Sequence, residues 1–289
     1  PCTVVRACRG VLLLDCGEGC QRALESAGIG HNEPLGVIVS HLHGDHVLGL
    51  TPLLQTLSLM GRRNPVLVVG PLGLREEGLR GWSGGPYPLH VIELAGEVGS
   101  MDLRVGVDLR LNYVRAHHAP LSYSFVLSFP PRVQLDPEKL EAAGVPPKLR
   151  KVLVEMGEVE HGGRVYRLGD FVRRVVPGVV IAYSGDTLPN PLFAAKARYA
   201  DVMIHEATFT GDVPDALGGP HSTPADAAEI AARARAKILV LTHFSPRIRD
   251  VERMAEEARA IFPRVLVARR GLVILIEAST PRVFRFSEL

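Results

Sequence analysis

Apolar residues occur along this chain in short runs that are rich in Val, Ile and Leu and bounded by Gly, Pro or charged residues. Runs of roughly four to eight such residues are typical of β-strands, including strands buried on both faces. The segments predicted as strands are 11–15, 36–39, 64–69, 90–94, 102–108, 109–116, 122–129, 179–183, 201–204, 237–241, 265–277 and 283–286.

Other stretches repeat their apolar residues at helical spacing. The predicted helices are 21–27, 47–60, 135–153, 225–236 and 248–261. Thr223 followed by Pro224 is typical of a helix start, and Ser245 followed by Pro246 repeats the pattern. Strands dominate the middle of the chain and alternate with helices after residue 179, which favours an α/β fold with sheet packed on sheet.

Composition narrows the class of protein. The 289 residues are 46% hydrophobic and 22% charged, which suits a globular chain with one large core or two small ones. No apolar run approaches the roughly 18 residues of a membrane helix, and residues 1–6 do not resemble a signal peptide, so we expect no membrane association and a cytoplasmic location. A net charge of +2 does not indicate a nucleic-acid binder by itself, so any basic surface must be local.

All four cysteines (Cys2, Cys8, Cys16 and Cys20) lie in the first twenty residues. In a cytoplasmic enzyme we expect these four cysteines to be free thiols. A disulfide, or a zinc site built from all four, is the minority interpretation.

Candidate metal ligands follow the predicted strand 36–39. Side chains two apart in an extended segment point the same way, so His41 and His43 can reach one point. Gly44 then permits a tight turn that aims Asp45 and His46 at a second point nearby. Imidazole suits zinc, and a carboxylate adds an oxygen ligand. Three histidines and an aspartate within six residues disfavour the alternative of ordinary loop or core residues, so we predict a metal site.

More candidate ligands occur where other predicted strands end. His117 and His118, Asp186 and His243 can converge on one rim of the fold, as ligands do at strand ends of open sheets. Adjacent residues on a strand face opposite ways, so only one of His117 and His118 can point inwards. Asp15 also leaves a strand near this rim, where orienting a histidine and capping a turn are equally compatible with the sequence.

Seven candidate ligands are too many for one tetrahedral zinc and suit two metal ions that share a carboxylate. They are His41, His43, Asp45, His46, His118, Asp186 and His243.

This set, in this order, resembles the metallo-β-lactamase superfamily, and within it the ribonuclease Z family. The matching motifs are Asp15-Cys-Gly-Glu-Gly19 with Gln21, Ser40 to His46 with Gly49-Leu50, Gly185-Asp186-Thr187, His205-Glu-Ala-Thr-Phe209, His221-Ser-Thr223 and Thr242-His-Phe-Ser245. The resemblance covers nearly the whole chain, and the last three motifs are the most specific. It implies a four-layer αββα sandwich in a single domain over residues 1–289, and a homodimer that cleaves the 3′ trailer from precursor tRNA.

The resemblance also assigns roles. His41, His43 and His118 would hold one zinc, and Asp45, His46 and His243 the other, with Asp186 bridging the two ions. His118 is preferred to His117 because the family places Ser four residues after the ligand, as Ser122 is here. Metal-activated water would attack the phosphodiester, with Asp45 orienting or deprotonating it. His221, with Glu206 behind it, would protonate the leaving ribose oxygen.

Residues 132–176 form a basic insertion between two ligand-bearing strands. Its position matches the tRNA-gripping arm of the family, but the usual Gly-Pro pair is replaced by Lys148-Leu149. Lys148, Arg150 and Lys151 would then supply charge for tRNA phosphates. A solvated charged face is the alternative. The family also opens with a strand and a Gly-rich turn ahead of the Asp15 strand. This chain begins at what resembles the end of that turn, so we expect the first strand to be missing or very short here.

A hydrolase of the same superfamily acting on a small molecule is the competing hypothesis. An arylsulfatase-like enzyme, a lactonase or a cyclic-nucleotide phosphodiesterase would share the metal ligands. The basic insertion and the motifs at His205–Phe209 and His221–Thr223 favour RNA. A binding module without activity ranks third, because all seven candidate metal ligands are present.

Overall fold

The computed structural model describes residues 1–7, 9–118, 121–209, 220–277 and 280–285. The strands are β1 Thr3–Ala7, β2 Gly10–Leu14, β3 Leu35–Ile38, β4 Val66–Pro71, β5 Leu89–Leu94, β6 Val98–Arg104, β7 Asp108–Arg115, β8 Tyr123–Phe129, β9 Arg132–Leu135, β10 Glu158–His161, β11 Arg164–Arg167, β12 Val172–Val176, β13 Val179–Tyr183, β14 Val202–Glu206, β15 Leu239–Thr242, β16 Val265–Val267, β17 Leu272–Glu277 and β18 Thr280–Arg285. The α-helices are α1 Cys20–Ser26, α2 Gly44–Val47, α3 Leu50–Leu59, α4 Pro137–Ala142, α5 Pro147–Met156, α6 Leu168–Phe171, α7 Pro191–Lys196, α8 Pro224–Ala234 and α9 Val251–Arg259, with a π-helical turn at Leu74–Gly78.

Two sheets build the body of the molecule. The first has the order β1-β2-β3-β4-β5, with β2 to β5 parallel and β1 antiparallel to β2. The second has the order β16-β15-β14-β13-β8-β7-β6, with β13 to β16 parallel and β8 antiparallel to β13. The carboxyl ends of β13, β14 and β15 therefore share one edge with the connection between β7 and β8.

Side-chain alternation along the strands produces four layers. In β2, Val11 and Leu13 pack in a core with helices α1 and α3, whereas Leu12 and Leu14 pack in a core between the two sheets. A third core joins the outer face of the second sheet to α7, α8 and α9. The order helix, sheet, sheet, helix confirms the α/β class and the four-layer αββα sandwich.

Several element boundaries differ from the sequence prediction. A five-residue strand, Thr3–Ala7, precedes the Asp15 strand and pairs along its whole length with β2. The helix predicted over 135–153 is two helices, since Pro146 and Pro147 interrupt it. The last predicted helix begins later, where Asp250 accepts hydrogen bonds from the amides of Glu252 and Arg253.

Other predicted strands were also placed wrongly. The strand predicted over 102–108 runs from Val98 to Arg104, and the single strand predicted over 265–277 is two strands, β16 and β17. Phe286, in the final predicted strand, lies outside the described residues.

Residues 132–176 form a separate unit on the end of a two-stranded ribbon. Strands β9 and β12 pair antiparallel and continue β8 and β13 beyond the second sheet. Beyond the ribbon lie α4, α5, the β10–β11 hairpin and α6. This arm has its own small core, made of Leu140, Val145, Leu153, Tyr166 and Phe171.

Within the described ranges, no helix has both the length and the apolar character needed to cross a membrane.

Candidate metal centre

The loop after β3 brings its histidines together. His41 is fully buried, and its Nε2 lies 3.0 Å from Nδ1 of His43. Asp45 and His46 follow in α2, which begins at Gly44. Gly44, where a tight turn was expected, is thus the first residue of a short helix. A Cβ added at Gly44 would come within 2.8 Å of the Leu48 side chain.

Asp15 anchors this loop from the end of β2. Its carboxylate accepts hydrogen bonds from the Ser40 amide (2.6 Å), the Ser40 hydroxyl (2.9 Å) and the Tyr183 hydroxyl (2.5 Å). His46 Nδ1 lies 2.7 Å from the same carboxylate, so Nε2 faces the other candidate ligands. Of the two roles open to Asp15, orienting a histidine is the one that the structure supports. Tyr183 was not singled out from the sequence, because its contact joins residues 168 positions apart.

The second sheet contributes three more side chains at the same edge. His118 lies between β7 and β8, Asp186 follows β13, and His243 follows β15. Gly185 takes a left-handed conformation (φ 57°), and a Cβ there would come within 2.8 Å of Ser40, so glycine lets Asp186 approach the histidine loop.

The seven side chains form two groups. In each group the ligand atoms lie within 4.8 Å of one another. The first group is His41, His43, His118 and Asp186, and the second is Asp45, His46 and His243. His117 is exposed, whereas Nε2 of His118 lies 3.3 Å from Nδ1 of His43.

Asp186 lies between the two groups. Its Oδ2 is 3.6 Å from His41 Nε2, 3.4 Å from His46 Nε2 and 3.4 Å from His243 Nε2. One carboxylate therefore reaches imidazole nitrogens of both groups. Asp186 also forms a third possible group with His221 and His243, but His221 already directs its Nδ1 to a carboxylate, as described below.

Burial and charge set opposite protonation tendencies in neighbouring histidines. Burial lowers the pKa of His41 to about 3, so this ring stays neutral. Burial also acts to lower the pKa of His46, but Asp15, Asp186 and Asp45 outweigh it and raise that pKa to about 11. Hydrogen bonds with His243 and His46 hold the pKa of Asp45 far below its usual range.

The donor set fits a divalent metal. Imidazole nitrogens face each other at 3.0 Å in His41–His43, at 3.2 Å in His46–His243 and at 3.3 Å in His118–His43. Nitrogen lone pairs at such distances repel each other unless a proton or a cation lies between them. Imidazole with carboxylate is also a ligand combination found in protein metal sites.

A buried acid–base pair adjoins the second group. Glu206, at the end of β14, is 1% exposed, and its Oε1 lies 2.8 Å from His221 Nδ1. The Thr187 amide donates to the same oxygen at 2.7 Å. The His221 ring stacks near His243, with centroids 5.6 Å apart.

His205 is placed differently from its neighbour Glu206. It is fully buried against Phe193, and its Nδ1 contacts the Glu206 backbone oxygen at 2.8 Å. Its Nε2 has no hydrogen-bond partner among the described residues. His205 is a core residue in this structure, outside both ligand groups.

The basic residues singled out in the arm begin α5. Lys148 and Lys151 are exposed, and Lys151 forms an ion pair with Glu155 (3.6 Å). Arg150 is half-buried, and its Nε has no hydrogen-bond partner among the residues described. The structure therefore places these three side chains on α5 of the arm, outside both ligand groups.

Comparison with known proteins gives consistent relatives. Residues 1–166 match the model of the metallo-β-lactamase superfamily. The chain is 38% identical over 261 residues to a ribonuclease Z of Ignicoccus hospitalis, covering 89% of this chain and 85% of that protein. It is 35% identical over 267 residues to a ribonuclease Z of Methanosarcina acetivorans, covering 89% and 86%.

Solved structures of other proteins have the same fold as this chain. The short form of human tRNase Z superposes with a TM-score of 0.62 and 25% identity, over 93% of this chain and 89% of that chain. The metallo-β-lactamase fold protein YhfI of Bacillus subtilis shares the fold with a TM-score of 0.65 at 18% identity, over 93% and 88%.

Proposed function

This chain belongs to the metallo-β-lactamase superfamily and, within it, to the ribonuclease Z family, and on that basis we propose that it is a zinc-dependent endoribonuclease that removes the 3′ trailer from precursor tRNA. One observation carries the proposal: a buried Glu206–His221 pair lies beside two groups of metal-binding side chains. Hydrolysis of a phosphodiester with an unactivated ribose leaving group needs both a nucleophile and a proton donor.

The two groups would hold two zinc ions per chain. His41, His43 and His118 would bind one ion and Asp45, His46 and His243 the other, with Asp186 shared. When bound, such ions act as Lewis acids that activate water and offset charge on the phosphoryl oxygens.

Asp45 is suited to orient the attacking water. Its side chain is 60% exposed at the mouth of the site, and its Oδ2 lies 3.2 Å from His243 Nε2. Since its pKa lies well below the ordinary range, Asp45 stays ionised at neutral pH and can accept a hydrogen bond from the nucleophile.

His221 is suited to protonate the leaving oxygen. Glu206 engages its Nδ1, which stabilises the imidazolium form and directs proton transfer to Nε2 on the other side of the ring. The His221 ring is stacked on the His243 ring, with centroids 5.6 Å apart, and therefore lies beside the second ligand group.

The arm would grip tRNA for a second copy of the chain. Asp186 follows the carboxyl end of β13, whereas the arm leaves the opposite end of this strand through β12. From Tyr183 back to Val172 the ribbon covers on the order of 30 Å, at about 3.3 Å per strand residue. The arm is therefore attached at the end of β13 that lies opposite the metal groups of its own chain. This geometry favours a homodimer in which Lys148, Arg150 and Lys151 contact tRNA that is cut in the partner subunit. A cytoplasmic location is compatible with that function.

Cleavage of a labelled precursor tRNA by zinc-loaded protein tests the function. We expect a single cut immediately 3′ of the discriminator nucleotide, and loss of cutting in an Asp186→Ala variant. Hydrolysis of bis(p-nitrophenyl) phosphate serves as a control for a working metal site. An enzyme that hydrolyses this small diester but leaves precursor tRNA intact would be a small-molecule hydrolase, and the proposal would be wrong.

A further inference from the structure

The hydroxyl of Thr208 lies between the metal groups and the proton-donor pair. Its Oγ1 is 2.6 Å from Oε2 of Glu206, 2.9 Å from Nδ1 of His243 and 3.3 Å from Nδ1 of His221. Thr208 is 6% exposed and follows β14 by two residues, so the backbone holds it in this position. The Ser245 amide also donates to the Thr208 carbonyl oxygen, at 3.2 Å, which connects the segment after β14 to the segment after β15 that carries His243.

The hydroxyl has one proton to donate, and this determines the direction of its two shorter hydrogen bonds, to Glu206 and His243. An ionised carboxylate only accepts, so Thr208 must donate its proton to Glu206. If the hydroxyl donated to His243 instead, two oxygen atoms would face each other at 2.6 Å with no proton between them. Thr208 therefore accepts from Nδ1–H of His243.

This arrangement fixes the state of the His243 ring. With the proton on Nδ1, the lone pair is on Nε2. Nε2 is the atom that faces Asp45 (3.2 Å), Asp186 (3.4 Å) and His46 (3.2 Å). Proteins commonly orient a metal-binding histidine through a hydrogen bond to its second nitrogen.

The same hydroxyl fixes Glu206. Oε2 receives the Thr208 hydroxyl and, at 3.3 Å, the Thr208 amide, while Oε1 receives the Thr187 amide and His221 Nδ1. The carboxylate is therefore held at both oxygens, with one edge committed to His221. Without the hydroxyl, Oε2 would keep only the long amide contact.

We propose that Thr208 is a positioning residue that couples the two halves of the site: its hydroxyl keeps His243 in the tautomer that offers Nε2 to a metal ion, and holds Glu206 in the orientation that receives His221. The second half of this inference rests on the proposed function, whereas the first half concerns metal binding alone. Thr208 itself touches no substrate in this scheme.

Three variants separate the hydroxyl from the methyl group. Thr208→Val removes the hydroxyl at nearly constant shape, and Thr208→Ser keeps the hydroxyl. Thr208→Ala is a second variant without a hydroxyl, for use if the valine variant does not fold. Circular dichroism and thermal unfolding of the metal-free proteins show which variants fold.

Zinc affinity, measured by competition with a chromogenic chelator, tests the first half. Removing a residue that orients a metal ligand typically costs about 10- to 100-fold in affinity. We expect a loss of that size for the weaker-bound ion in Thr208→Val, and near wild-type affinity in Thr208→Ser. Unchanged affinity in both Thr208→Val and Thr208→Ala would overturn the His243 role.

Cleavage at saturating zinc tests the second half. Nitrophenolate leaves without a proton, whereas the ribose oxygen needs one. For each substrate the kcat of Thr208→Val is divided by the wild-type kcat. We expect this ratio to be about tenfold or more lower for precursor tRNA than for bis(p-nitrophenyl) phosphate. Equal losses on both substrates would overturn the Glu206 role.

Two further results are decisive. If Thr208→Ser is as impaired as Thr208→Val, the methyl group matters by packing and the proposal is wrong. If wild-type protein does not cut precursor tRNA, the proposed function fails, but the zinc competition still decides the role of Thr208 at His243.

Discussion

At the scale of single residues, His46 connects protonation to metal binding. Its Nδ1 contacts Asp15 at 2.7 Å, and its Nε2 is within 3.4 Å of both Asp45 and Asp186. These carboxylates, acting against burial, raise the pKa of His46 to about 11 in the metal-free protein. A metal ion must displace the Nε2 proton, so zinc and protons compete for the same nitrogen.

The stability of the metal-free protein should therefore fall as pH rises. Because the pKa of His46 is about 11 when folded and near 6.5 when unfolded, the folded state binds more protons between these values. The stabilisation is complete below the unfolded pKa and is lost as pH rises toward the folded pKa. Urea unfolding of chelator-treated protein from about pH 6 to pH 10 should show a decrease of up to roughly 1.4 kcal/mol per pH unit.

A His46→Gln variant is the matched control for this measurement. It removes the titrating ring and should flatten the decline, whereas His90→Gln, on the exposed face of β5, should leave it unchanged. An identical pH slope in wild type and His46→Gln would show that another group causes the decline.

At the scale of elements, the alternation of side chains predicted most strands, and local motifs predicted part of the site. Val11 and Leu13 lie on one face of β2 and Leu12 lies on the other, so their sequence already indicates a strand that is buried on both faces. His41 to His46 are close in space because they are close in sequence. Thr3–Ala7 was not predicted as a strand because it is short and its Arg6 interrupts the apolar residues, whereas the structure shows it paired with β2.

The contacts of Tyr183 and Thr208 were beyond the reach of the sequence for another reason. Each hydroxyl meets its partners where two separate strands end, and only the packing of the strands sets those distances. The ligand role of His118 came from the family resemblance, since the sequence alone could not decide between two adjacent histidines. The roles of the site residues stay predictions until they are tested.

The position of the arm on its ribbon leads to a complementation prediction. One chain carries Lys148, Arg150 and Lys151 replaced by Ala, and the other carries Asp186→Ala. If the arm serves the partner's site, a mixed dimer keeps one working combination, an intact arm and an intact metal site on opposite chains. Co-expressed and tandem-purified mixed dimers should then cleave precursor tRNA well above either variant alone.

Arms that serve their own chain give the opposite result, because each chain of the mixed dimer would lack one part. Activity no higher than that of the parent variants would therefore exclude action on the partner. The arm variant alone should still hydrolyse bis(p-nitrophenyl) phosphate, which needs no tRNA grip. Loss of that activity as well would mean that these residues support the fold.

At the scale of the whole molecule, the metal groups join the two sheets. Four of the seven candidate ligands follow β3 in the first sheet, and His118, Asp186 and His243 belong to the second. Bound metal should stabilise the sandwich, by about 4 kcal/mol when the ion is present at roughly a thousand times its dissociation constant.

Metal removal should accordingly lower the thermal midpoint by roughly 7 °C in a chain of this size, measured by calorimetry with and without chelator. Asp186→Ala should lose most of that difference and retain fewer than two zinc ions by elemental analysis, because both groups lose a ligand. His90→Ala should keep the full difference. A chelator effect as large in Asp186→Ala as in wild type would mean that Asp186 is not shared.

The two sheets are built from successive parts of the chain, with a single crossing at residues 95–97 among the described strands. On a ribosome, the first sheet is therefore complete while the second is still being made. At about 5–20 residues per second, β15 follows β5 by on the order of ten seconds. During this time Leu12, Leu14 and Ile38 can be covered only by β6 to β8, because the β13–β15 part of their core is still missing, so the nascent chain would expose an apolar surface that chaperones can bind. The seven candidate ligands are all present only after His243 has emerged, so we expect metal loading to be a late step in the synthesis of each molecule.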